Sequence, residues 1–143
     1  MIEVFNRDKL LKIPKDIPID KIKLLLEREF VLENRINIVF VTPKYIQRLN
    51  SEYRKKDEVT DLLSFNIDSD TILGEIYICP EYVINTTPSK NLQKQITRLF
   101  IHGILHLKGY DHEEKFDELD YSNEAMYIKQ EQILNKILIE ILQ

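Results

Sequence analysis

The chain has 143 residues, 43% apolar and 31% charged, with a net charge of −4. Its length suits one domain over residues 1–143 with a single core, and no run approaches the eighteen apolar residues of a membrane span. A lone Cys79 leaves no disulfide partner and fits a reducing cytoplasm.

The opening MIEVFNRDKL lacks the basic start and apolar run of a signal peptide, and Ile2 to Phe5 alternates weakly as a first strand. IPKDIPID reads as a loop, with Asp20 as N-cap of a helix to about Phe30. Ile36 to Val41, INIVFV, is β-branched and aromatic, the composition of a buried strand. Thr42 and Pro43 suit the N-cap and first position of a second helix to about Tyr53. Leu62 to Ile67 and Ile72 to Cys79 are strand-like and joined by a short DSD turn, which favours an antiparallel hairpin with Cys79 as a small core residue. Pro80 opens a helical region interrupted by Pro88. A longer helix begins near Ser89, with Leu92, Ile96, Leu99 and Phe100 at helical spacing. A last helical period runs from roughly Phe116 to Leu142. The expected class is α+β, a small mixed sheet of about four strands packed with helices.

All three histidines fall within His102 to His112, HGILHLKGYDH. On a helix His102 and His106 share a face, about 6 Å apart along the axis, so two imidazoles can hold one metal ion. His112 would lie about 15 Å along the axis if the helix continued. Gly109 is the residue type that adopts a left-handed C-cap, and a turn there lets His112 come back to complete a three-histidine site. The H-x-x-x-H-x-x-G-x-x-H spacing is that of the metzincin metal sites, and the expected fold is zincin-like. Three protein ligands leave a fourth position open, as in catalytic zinc, where water is acidified toward a pKa of about 7. Three imidazoles also accept nickel, copper, cobalt or iron. Gly103 stands where the metzincin motif has its glutamate base, so the metalloprotease reading weakens, and the glycine leaves space beside the metal for a bulky substrate.

The charge is unevenly spread. Residues 1–110 carry seventeen basic against fifteen acidic side chains, and residues 111–143 carry three against nine. Most of the chain is therefore free to present a local basic surface. A phosphodiester in hydrolysis gains charge on its non-bridging oxygens, and a guanidinium offers them a planar fork of donors. Arg54 in RKKDE is either such a clamp or one more solvated charge, and Lys55 and Lys56 either extend a phosphate track or are surface lysines. Asp111 is a candidate for orienting a ligand imidazole or for bracing its own turn. Lys90, Lys94 and Arg98 form either a basic stripe or a solvated helix face, with the solvated face preferred. Tyr45, Tyr53 and Tyr110 can stack on unpaired bases; core or rim packing is the safer reading of the first two, and Tyr110 lies beside the metal motif.

HGILHLKGYDH and LNSEYRKKDEVTDLLSFNID, Leu49 to Asp68, resemble the two signatures of the YbeY family of bacterial endoribonucleases. ILGEIYIC and EAMYIKQEQIL are similar to the strand and C-terminal helix of that family. Leu63, Asn66 and Glu75 stand where the family usually has Val, Pro and Asp. The resemblance implies a zinc-dependent, single-strand-specific endoribonuclease of the cytoplasm, acting on the small ribosomal subunit in 16S rRNA 3′ end maturation and in ribosome biogenesis and quality control. It implies a four-stranded mixed sheet beside a central helix bearing the histidines. It makes His102, His106 and His112 the zinc ligands and Arg54 the functional arginine, while Glu75, Asp111 and Tyr110 are supporting or substrate-facing candidates by their own side-chain chemistry. Two other readings stay open: a metalloprotease or other metal hydrolase without the usual glutamate, and a non-catalytic ribosome-binding factor with a structural metal.

Overall fold

The computed structural model describes residues 1–8, 11, 13–110 and 121–143. The strands are β1 (Ile2–Asn6), β2 (Arg35–Phe40), β3 (Leu62–Asn66) and β4 (Ile72–Ile78). The helices are α1 (Ile19–Glu29), α2 (Pro43–Arg54), α3 (Pro80–Thr86), α4 (Leu92–Leu107) and α5 (Tyr121–Ile141). The strands form one sheet in the order β1-β2-β4-β3. β1, β2 and β4 are parallel, while β3 runs antiparallel to β4 along an edge, as the short DSD link requires. The α+β expectation, a four-stranded mixed sheet with packed helices, is met.

Local chemistry explains most boundaries. Thr42 caps α2, its Oγ1 accepting from the Tyr45 N–H at 3.2 Å, with Pro43 at the first helical position. Asp20 is not the cap of α1: Pro18 holds that position without a side-chain bond, and Asp20 lies in the first turn, where its charge favours the helix dipole. Pro88 and Ser89 to Asn91 make a 3₁₀ turn first, so α4 proper begins at Leu92 rather than Ser89.

The core lies between one sheet face and three helices. Ile36, Ile38 and Phe40 of β2 and Ile76 and Ile78 of β4 meet Ile22 and Leu26 of α1, Ile96, Phe100 and Ile104 of α4, and Leu134 and Ile137 of α5. Most of α4 is buried, which makes it the central helix. On the other sheet face α2 packs over a smaller cluster of Val41, Ile46, Leu63 and Cys79. Cys79 is the buried core residue expected of it, and burial pushes its thiol pKa up.

Gly103 sets how closely α4 approaches the sheet. A Cβ there would stand 2.7 to 3.0 Å from three side-chain carbons of Ile76. The missing side chain therefore admits β4 rather than a substrate, which corrects the expectation of open space beside the metal. The same contact bars a glutamate from position 103.

Candidate active site

The last turns of α4 carry the histidine pair. His102 and His106 are one helical step of four apart, and their rings meet edge to face with centroids 4.6 Å apart. Their Nε2 atoms are 3.1 Å apart. Two nitrogens on a tetrahedral zinc at about 2.0–2.1 Å stand roughly 3.3 Å from one another, so the pair fits one ion with almost no movement. Among the described residues no third His, Cys, Asp or Glu joins them.

α4 ends as the sequence indicates. Gly109 has a φ of +101°, and its N–H donates to the His106 carbonyl while the Tyr110 N–H donates to the Leu105 carbonyl. This is a Schellman cap, which a left-handed glycine completes at no steric cost. The chain thus turns at 109. His112 and Asp111 lie outside the described residues.

α5 supplies the support for the pair. Gln130, only 6% exposed, places its Oε1 2.7 Å from His102 Nδ1. Its Nε2 donates to Glu131 Oε2 at 3.1 Å. Glu131 in turn accepts two bonds from Arg98 of α4, each 3.0 Å, and Arg98 also donates to Gln95 Oε1 at 2.7 Å. The Arg98 guanidinium holds the Glu131 carboxyl below the usual carboxylate range, and that carboxylate pushes the Arg98 pKa up. Arg98 is therefore an ion-paired strut of the cleft wall, in place of the expected solvated helix face.

The opposite wall comes from the end of α2 and the edge strand β3. A cleft of about 580 Å³ is lined by Tyr53, Arg54, Asp61, Ser64 and Phe65 on one side and by Gln95, Arg98, His102, His106 and Gln130 on the other. This is within the range of a small-ligand site. Arg54, exposed at the last position of α2, thus shares one cleft with the histidine pair. Buried Asn50 stabilises the turn beyond it. Its carbonyl accepts the Lys55 and Lys56 N–H groups, and its Nδ2 donates to the Glu58 carbonyl at 3.0 Å. Tyr53 is 64% exposed and rests against Phe65, with centroids 5.0 Å apart.

Other candidates are placed elsewhere. Lys55 takes a left-handed backbone, φ 60°, to end α2, and neither Lys55 nor Lys56 lines the cleft. Tyr110 is partly buried against the main core. Tyr45 packs on Tyr77 and lies under the Arg7 guanidinium. Glu75 does not line the cleft. Side chains alternate along β4, so Ile76 faces α4 while Glu75 faces away and accepts from the Tyr77 hydroxyl at 2.9 Å. Burial, with that bond added, pushes the Tyr77 pKa well up. Glu75 is therefore a sheet-face residue bonded to Tyr77 and outside the cleft lining.

Gln130 and Asn50 were not singled out in the sequence. Each had a signal: Gln130 sits in the apolar stripe of Met126, Ile133, Leu134 and Ile137, and Asn50 one helical step after Ile46. A polar residue in such a stripe must find a partner.

Comparison with known proteins agrees with this architecture. The family model described as Endoribonuclease YbeY matches residues 4–138. An Endoribonuclease YbeY of Ureaplasma urealyticum serovar 10 is 39% identical over 124 residues, covering 82% of this chain and 74% of that protein. The Endoribonuclease YbeY of Thermotoga petrophila is 30% identical over 139 residues, covering 96% and 89%. A solution structure of a Thermotoga maritima protein superposes with a TM-score of 0.66 at 29% identity, over 98% of this chain and 91% of that one. With almost the whole chain matched in sequence and in fold, it belongs to the Endoribonuclease YbeY family.

Proposed function

We propose that this protein is a zinc-dependent endoribonuclease that cuts single-stranded RNA. Its biological substrate on this reading is ribosomal RNA of the small subunit, cut in the cytoplasm during 16S rRNA 3′ end maturation and ribosome quality control. The observation that carries the reading is the meeting of Arg54 with the His102–His106 pair in one cleft. Family membership supports the reaction class, since the named relatives are endoribonucleases.

His102, His106 and His112 would hold the zinc ion. When bound, it supplies Lewis-acid chemistry and acidifies water. The chain's own groups do the rest. The His102 and His106 Nε2 atoms converge to 3.1 Å, so both can reach one ion once the proton shared between them is displaced. Arg54 directs its donors at the non-bridging oxygens of the scissile phosphate, where charge builds in the transition state. Tyr53, exposed beside Arg54, offers its ring to an unpaired base. β3 lines the cleft and is an edge strand, the kind that leaves backbone groups able to pair with bases of an unpaired strand, which supports a preference for single strands.

Position 103 disfavours peptide hydrolysis by the metzincin route, because the base that route needs has no room there. The test is cleavage of a labelled single-stranded RNA by zinc-replete protein and by His106→Ala and Arg54→Ala. Loss of cutting in both folded variants is expected. Undiminished cutting by either removes that residue, and with both the site, from the account.

A further inference from the structure

We infer that Gln130 is a positioning residue that fixes the tautomer of His102, and that Arg98 and Glu131 act through it. This rests on the metal-site reading above and deepens it.

The inference follows from which groups can donate. Arg98 has donors only, and it holds both oxygens of Glu131 at 3.0 Å. An ionised carboxylate accepts only, so the Gln130 atom 3.1 Å from Glu131 Oε2 must be the amide nitrogen. The Arg98 guanidinium keeps Glu131 ionised by holding its pKa down. The amide of Gln130 therefore cannot flip, and its oxygen faces His102 Nδ1 at 2.7 Å. An oxygen acceptor at that distance requires the proton on Nδ1. In the neutral ring His102 Nε2 then keeps its lone pair, accepting from His106 Nε2 at 3.1 Å and facing the cleft, the form in which an imidazole binds a metal. The relay thus runs from Arg98 through Glu131 and Gln130 to His102, across two helices and 28 residues of sequence.

The relay stands on buried geometry. Gln130 is 94% shielded on the inner stripe of α5, where an amide is costly unless both ends are satisfied. Each end has the partner described. A leucine would pack as well there but would leave His102 Nδ1 without its acceptor.

The test uses the full-length protein with Gln130→Leu, Gln130→Glu and Glu131→Leu. Zinc affinity is read by competition with a chromophoric chelator. The His102 tautomer is read in metal-free protein from its ring ¹⁵N shifts, assigned with His106 and His112 variants. The parent is expected to show His102 protonated at Nδ1. Gln130→Leu is expected to bind zinc roughly 10- to 100-fold more weakly and to lose that tautomer. Gln130→Glu, which keeps an acceptor, is expected to bind at least as tightly as the parent. Glu131→Leu, which frees the amide to flip, is expected to fall between. An Nε2-protonated His102 in the parent overturns the inference even if no variant folds. So does parental zinc affinity in Gln130→Leu, or equal weakness in Gln130→Leu and Gln130→Glu. If the relay holds while RNA is not cut, the endoribonuclease reading fails alone. If the parent binds no zinc, the metal reading fails and the tautomer decides the relay.

Discussion

Ile76 of β4 fills the space that any side chain at Gly103 of α4 would need, with three carbons within 3.0 Å of that position. The approach keeps the histidine-bearing helix close to the sheet. Gly103→Ala is expected to destabilise the fold. Crowding Ile76 costs about 1–3 kcal/mol, and the gain in helix propensity offsets at most about 1 kcal/mol. Ile76→Val trims one of the crowding methyls, so the double variant should recover part of the loss. Urea unfolding of the four proteins measures this, and strictly additive losses would show that the two sites do not touch.

Arg54 lies exposed at the end of α2, so Arg54→Ala should stay folded and lose no more than about 1 kcal/mol, the scale of an exposed charged contact. RNA turnover should fall about 10²- to 10³-fold in Arg54→Ala, mainly in kcat, because the contact strengthens as charge builds on phosphate. Arg54→Lys should recover little, since an ammonium lacks the two-pronged fork. Single-turnover kinetics at saturating RNA separate this from simple weak binding, which would raise KM alone.

The Arg98–Glu131 pair makes part of the fold's stability acid-sensitive. The pKa of Glu131 is lower in the folded protein than its ordinary value. Its contribution is therefore complete above about pH 4.3 and is lost as pH falls through the lower folded value. Glu131→Gln should cost about 1.5–2 kcal/mol at pH 7, the lower end of the scale for a hydrogen bond to a charged group, and progressively less as the pH is taken down below about 4.3. Chemical unfolding across that range checks it, and a difference that grows on acidification contradicts it.

How much was legible depended on range along the chain. The Thr42–Pro43 start of α2, the buried run Ile36 to Val41 and the left-handed turn at Gly109 are written in adjacent residues, and the structure has all three. The histidines stood out by their spacing and Arg54 by the family resemblance, but that His102, His106 and Arg54 share a cleft depends on the pairing of β3 with β4. The Gln130–His102 contact spans 28 residues and two helices, beyond any local pattern. The space expected beside Gly103 is filled by Ile76, and Glu75 lies outside the cleft lining. Both readings placed a residue near the metal by motif, while strand alternation turns Glu75 away and helix–sheet packing turns position 103 inward.

Stripping the metal and titrating zinc back while following cleavage of single-stranded RNA tests the assignment most directly. Cutting should vanish on stripping and return in proportion to added zinc until one ion per chain is bound, with no return in His106→Ala. Full cutting by stripped protein, or equal recovery in His106→Ala, would contradict a zinc-dependent site built on this pair.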